Sequence, residues 1–311
     1  MDLFFLNLDH HAKLVRPRHL FPEVKRIVLL IAPRFDFSRI KAVYQDIVRL
    51  FNGTYPGYRK CSTGYHDLSH TEDCLLQMVR LMHGARINGI PFSERAITLG
   101  IVAALMHDSG YIQTKKDKRG TGAKYSLLHI ERSIDFMKGY FARRNYPEDD
   151  FHFCEACLQC TGLNVRIDKI HFQSLENEIM GKILGTADLL GQMANLNYLE
   201  KLPALYQEFK EGQVPGYRDE FELLQKTPDF WEFTKTRLAK DLGDMRRFLR
   251  DHFRVRWGID RDLVSEAVEI HIFYLKYIIE NHPDDYRRYL RRAMMFRILR
   301  KEKGDSPATV Q

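Results

Sequence analysis

The chain has 311 residues, 44% of them hydrophobic and 29% charged, with a formal net charge of +7 and a pI near 9.0. That length is enough to bury a substantial core in one large or two smaller units, and that balance excludes disorder as the default state. The positive charge suits phosphorylated ligands but is equally compatible with nucleic acid or an anionic membrane face, so charge alone selects no partner.

Met1-Asp2-Leu3-Phe4-Phe5 lacks the basic segment and small-residue cleavage site of a secretory signal. The longest apolar run, near Ile27 to Ala32, falls well short of the roughly 18–20 residues of a membrane span. Five cysteines fit a reducing compartment. Together these readings give the expectation of a cytoplasmic protein with no membrane span.

Residues 1–58 read as N-terminal packing helices over 3–15, 22–31 and 37–51, the last with Ile40, Val43, Tyr44, Ile47 and Leu50 on one face. Asn52 to Gly57 breaks the pattern, and a loop leads to Tyr65-His66-Asp67-Leu68-Ser69-His70. Apolar residues then recur through Leu68, Cys74, Leu75, Met78, Val79 and Met82 at helical spacing, which predicts His66 and His70 one turn apart on a single helix face. Ser93 is the expected cap of the next helix. Its apolar run Ile101-Val102-Ala103-Ala104-Leu105-Met106 reads as buried all round and delivers His107 and Asp108 to the edge of the core.

The basic loop Lys115-Lys116-Asp117-Lys118-Arg119 follows at once, either reaching a phosphate or simply solvated. A helix over 124–140 carries His129, and one over 151–161 carries Cys154, Cys157 and Cys160. With no fourth soft ligand nearby, those cysteines read as small packing residues. A helix over 179–199 presents Asp188 among apolar and small neighbours, with no Lys or Arg in the adjacent turn. His152 and His171 read as satisfied histidines. Long amphipathic helices are expected over 223–251 and 262–280, then an arginine-rich amphipathic helix over 286–303 and a frayed tail over 304–311.

An ionised aspartate is too costly to bury unless it is paired or bound to a cation. Imidazoles with carboxylates and no nearby thiolate suit Zn, Fe, Mn, Ni or Mg. A paired histidine motif, a His-Asp after a buried helix and a later Asp in apolar surroundings therefore read together as a metal site.

The order His70, His107-Asp108, Asp188 resembles the H…HD…D signature of the HD superfamily of metal-dependent phosphohydrolases. Tyr65-His66-Asp67-x-x-His70-x-x-Asp73 is similar to the opening element of class I cyclic nucleotide phosphodiesterases, with Asp67 where those enzymes carry Asn. Tyr111 stands where many of them have a further His, and their purine-gripping Gln has no evident counterpart. The resemblance covers about 65–192.

It implies an all-α HD-domain bundle: a core over 59–205, flanked by the N-terminal helices of 1–58 and a C-terminal helical region over 206–311. It implies His70, His107, Asp108 and Asp188 as metal ligands, His129 as a further ligand where two metals are bound, and one or two divalent cations, with Asp108 bridging a second. It also implies His66 as the general acid. The expected activity is hydrolysis of a phosphoric ester, on a small nucleotide or cyclic nucleotide-like substrate, by cation-activated hydroxide. Two other classes stay open: an HD-type di-iron oxygenase, which has a similar set with six inward ligands, and a non-catalytic nucleotide- or nucleic-acid-binding helical protein dominated by its basic C-terminal helix. Nucleic acid is the less favoured partner, and an oligomer is compatible with the sequence.

Overall fold

The computed structural model describes residues 8–17 and 20–301. The expected tail over 304–311 and the start of the first expected helix lie outside these. Among the described residues the chain is all-α, with no strand.

In chain order the helices are α1 (Leu8–Val15), α2 (Leu20–Ile31), α3 (Ser38–Phe51), α4 (Leu68–Ile87), α5 (Glu94–Met106), α6 (His129–Arg143), α7 (Glu148–Gln159) and α8 (Leu175–Met193). The C-terminal part adds α9 (Tyr198–Glu211), α10 (Glu220–Lys240), α11 (Arg247–Trp257), α12 (Leu263–Asn281), α13 (Tyr286–Tyr289) and α14 (Arg292–Lys301).

α4 is the hub. Helices α2, α5, α8 and α11 all pack on it, and fifteen of its twenty residues are buried. Such a helix needs partners for its polar residues, because an unpaired buried polar group costs several kcal/mol. Arg80 donates to the carbonyl of Val15 at 2.8 Å and also to that of Leu14. Asp73 receives Arg16 and Asn195. A single apolar cluster then runs from Val15 to Leu299, so the N- and C-terminal helices share the core of the motif helices.

Several element ends differ from expectation for local reasons. α4 starts at Leu68, not before His66, because Asp67 takes an extended backbone and caps the helix through His70 N at 2.9 Å. His66 therefore precedes the helix. The expected helix over 223–251 is two, α10 and α11, separated where Gly243 (φ +63°) and Asp244 (φ +50°) adopt left-handed backbone. Ser93 caps α5 by accepting from Ala96 N at 3.1 Å, as expected. Residues 286–301 form α13 and α14, with Leu290, Met295 and Leu299 buried and Arg287 bound to both oxygens of Glu220 at 2.9 and 2.7 Å. No helix among the described residues is long and apolar enough to cross a membrane.

Three buried histidines away from the His-Asp motifs make stability pH-dependent. His83 and His252 meet through Nδ1 atoms 3.0 Å apart, and His271 Nδ1 donates to the Met193 carbonyl at 2.9 Å. Burial lowers all three below the ordinary imidazole value, His83 and His271 to about 4. The unfolded chain, with imidazoles near 6.5, then binds more protons between pH 6.5 and 4, so stability is full above pH 6.5 and falls as the pH drops toward 4. For His271 alone the loss is about 2 kcal/mol at pH 5. Thermal melts should show the melting temperature falling between pH 7 and pH 5, and falling less in His271→Asn. A temperature that stays level across that range contradicts this reading.

Candidate metal centre

Three segments of the chain bring four candidate ligand side chains together. α4 contributes His70 from its first turn, His107 and Asp108 follow directly on the end of α5, and α8 contributes Asp188. α8 lies close enough because Gly191, one turn beyond Asp188, faces α4: a Cβ there would meet Cys74 N at 3.0 Å. Gly110, just after the pair, lies against the start of α6, where a Cβ would meet the His129 carbonyl at 1.9 Å.

His70 Nε2 lies 3.1 Å from Asp108 Oδ2, 3.1 Å from Asp188 Oδ1 and 3.2 Å from His107 Nε2. His107 Nε2 lies 3.3 Å from Asp108 Oδ2 and 3.4 Å from Asp188 Oδ1. These separations do not amount to a satisfied hydrogen-bond network, because the buried Asp108 Oδ2 and His70 Nδ1 have no hydrogen-bond partner. These five separations have the length of a polyhedron edge, since donors about 2.0–2.2 Å from one cation sit about 3.0–3.4 Å from their neighbours, while Asp108 and Asp188 belong to two overlapping groups of possible ligands, His70–His107–Asp108 and Cys74–His107–Asp188. His107 Nδ1 donates to the Ala104 carbonyl at 2.8 Å, which leaves the Nε2 lone pair facing the cluster.

The electrostatics point the same way. Burial opposes charge on both imidazoles, yet Asp108 and Asp188 beside them lift His70 to about 9 and His107 well above its ordinary value. Burial likewise opposes ionisation of the carboxyls, and the two imidazoles hold Asp108 and Asp188 below the usual range. The centre demands positive charge, and protons on the imidazoles or a bound cation can supply it. The donor set of two imidazoles and two carboxylates fits a divalent transition metal.

His66 stands beside this centre, its ring 5.6 Å from that of His70 and stacked on Tyr111 at 4.4 Å. Its Nδ1 is 2.6 Å from Glu208 Oε2, and Glu208 Oε1 accepts from Tyr65 N at 2.6 Å. Glu208 comes from α9 and was not singled out in the sequence, where Tyr206-Gln207-Glu208-Phe209-Lys210-Glu211 reads as an ordinary solvated helix turn. It is nonetheless buried. Asp67 is matched by Lys201, whose Nζ lies 2.9 Å from both carboxylate oxygens.

His129 opens α6 beside Tyr111, stacked on it at 4.8 Å and with its ring 6.3 Å from that of His66, and its Nδ1 donates to the Ser126 carbonyl at 2.7 Å. Burial lowers its basicity. It contributes no atom to the ligand groups, whereas Cys74, one turn after His70, does: its Sγ lies within 4.8 Å of His107 and Asp188 ligand atoms. Cys154, Cys157 and Cys160 are buried free thiols, and His152 pairs with Glu155 at 3.1 Å on the surface. The residues Lys115 to Arg119 do not line the cavity at the centre.

A family model described as Npun_R2479-like matches residues 33–249, more than half of the chain. The chain belongs to the Npun_R2479-like family. The matched region of this Npun_R2479-like chain contains every ligand named above together with His66, His129 and Glu208. No curated protein and no solved structure matches the chain.

Proposed function

We propose that the chain is a metal-dependent phosphohydrolase of the HD type, cleaving a phosphoric ester at the centre formed by His70, His107, Asp108 and Asp188. The observation that carries this reading is the convergence of those four side chains with the His66–Glu208 pair directly beside them. A divalent cation held there supplies water of lowered pKa, from about 16 to about 7, and draws charge from a phosphoryl oxygen.

The chain's own groups do the rest. Glu208 accepts from His66 Nδ1, which fixes the ring orientation and leaves Nε2 to hand a proton to the departing oxygen. Tyr65 N steadies the Glu208 carboxylate, and the Tyr111 ring supports the face of the imidazole. His66 is 14% exposed at its side chain, open enough to meet a substrate and shielded enough to keep its geometry. Because His129 joins neither ligand group, a six-ligand di-iron set gains no support from the geometry.

Stripping the protein of metal and restoring Mn, Mg, Ni, Zn or Fe in turn, with bis(4-nitrophenyl) phosphate and 4-nitrophenyl phosphate as substrates, tests the proposal. Turnover that appears only with a cation is the expected result. Failure to cleave either ester with any of the five cations overturns it, and oxygen uptake with Fe selects the oxygenase class instead.

A further inference from the structure

The metal centre opens into a cavity of about 950 Å³, at the upper end of the roughly 300–1,000 Å³ of small-molecule sites. Its character is set by helices from the C-terminal third and by the segment between α7 and α8. Beyond Asp108, Asp188 and the histidines, the charged residues lining it are Glu131 and Lys226. Lys226 is already held by Glu222 at 3.0 Å and by the Gly216 carbonyl at 2.6 Å. Among the described residues no arginine lines the cavity, so a polyphosphate would find little to neutralise it.

Amides line the cavity at Gln159, Asn164 and Gln192. Gln192, the lining amide nearest the centre in sequence, accepts from the Tyr65 hydroxyl at 3.0 Å and is thereby committed to a protein partner. Much of the rest of the wall is apolar, with Leu202, Leu205, Phe209 and Phe230 among its residues. Three large apolar side chains of the lining are left in water: Leu127 at 64% exposure, Leu163 at 40% and Phe233 at 49%. Exposed apolar groups gathered around one cavity mark a binding surface.

We propose that the substrate is an amphiphilic phosphoric ester: a single phosphoryl group at the metal centre, joined to an extended alkyl- or acyl-chain body that fills the apolar cavity. This rests on the phosphohydrolase reading and replaces the nucleotide expectation with a different organic group. The phosphoryl end needs the cation and His66, and the chain needs only the wall. Each methylene moved from water onto such a wall favours binding about fourfold at full burial.

The test uses the metal-loaded full chain below the critical micelle concentration of each probe. Calorimetric binding of methyl-, butyl- and octylphosphonate, which cannot be hydrolysed as esters, is compared with turnover of the 4-nitrophenyl phosphodiesters bearing the same three chains. Octylphosphonate is expected to bind at least about tenfold tighter than methylphosphonate. That gain should be lost in Leu163→Asp/Phe233→Asp, a double variant at exposed positions outside the metal centre. The kcat/KM values should rise in parallel along the ester series.

Equal binding along the phosphonates, or tighter binding of adenosine monophosphate than of octylphosphonate, overturns the proposal. The two readings separate cleanly. Chain-length-dependent binding without turnover of any ester keeps the apolar ligand class and removes the hydrolase reading. Turnover with equal kcat/KM for methyl and octyl esters keeps the hydrolase and removes the ligand class.

Discussion

Replacing Asp108 with alanine is expected to abolish ester cleavage, a loss on the order of 10³-fold or more, while leaving the helical content unchanged. The magnitude follows from the several kcal/mol that a bound cation contributes to a phosphoryl transition state, at 1.36 kcal/mol per decade of rate. Asp108 is buried, and its Oδ2 lies within 3.3 Å of both imidazoles, so its removal takes away one of the two carboxylates that would hold a cation there. Metal content measured on the purified variant should fall together with turnover, and circular dichroism should match that of the unaltered chain. Because Asp108 sits beyond the last residue of α5, its loss leaves no helix short of a backbone partner. Full activity with a full complement of metal in this variant would remove the centre from the chemistry.

The second large effect concerns the proton. His66→Gln should lower kcat by about 10²–10⁴-fold on esters of ordinary alcohols, the usual contribution of a positioned imidazole. The loss should shrink for 4-nitrophenyl esters, whose leaving group departs without a proton. Glu208→Gln is expected to follow the same leaving-group dependence with a smaller loss, since the ring stays in place against Tyr111 while the carboxylate at 2.6 Å is gone. Metal content should be unchanged in both variants, because neither side chain belongs to the ligand groups. A loss that is the same for good and poor leaving groups would rule out His66 as the proton donor.

The part of this site that could be read from the sequence is the part whose burial is expensive. Asp188 stands among apolar and small residues with no cation near it in sequence, and such a carboxylate must be compensated somewhere in the fold. His107 and Asp108 follow a helix apolar on every side, so their place at the core edge was legible as well. The helical class followed from periodicity, and the structure is all-α among its described residues.

What stayed hidden depends on contacts between distant segments. Glu208 sits in a turn that is polar by composition, and only the packing of α9 against the Tyr65–His66 loop buries it. Cys74 reads as an ordinary apolar position of α4, and only the arrival of α8 brings its sulfur near Asp188. The cavity wall draws on Leu163 and on Phe230 and Phe233 of α10, residues that in isolation look like any amphipathic helix or turn. The placement of His66 before α4 turned on one cap: Asp67 could be read as a helical residue or as the residue that ends the loop, and its bond to His70 N decides for the cap.

Glu208 also divides labour along the chain. Every candidate ligand lies at or before Asp188 in the chain, but the carboxylate that meets His66 comes only with α9, and much of the apolar wall comes later still. Because α11 packs on α4 and one apolar cluster joins Val15 to Leu299, a nascent chain that stopped near residue 205 would lack part of the core against which those side chains are set. Under the hydrolase proposal, ion, acid and apolar wall would thus be assembled together, by the helices that close over them last.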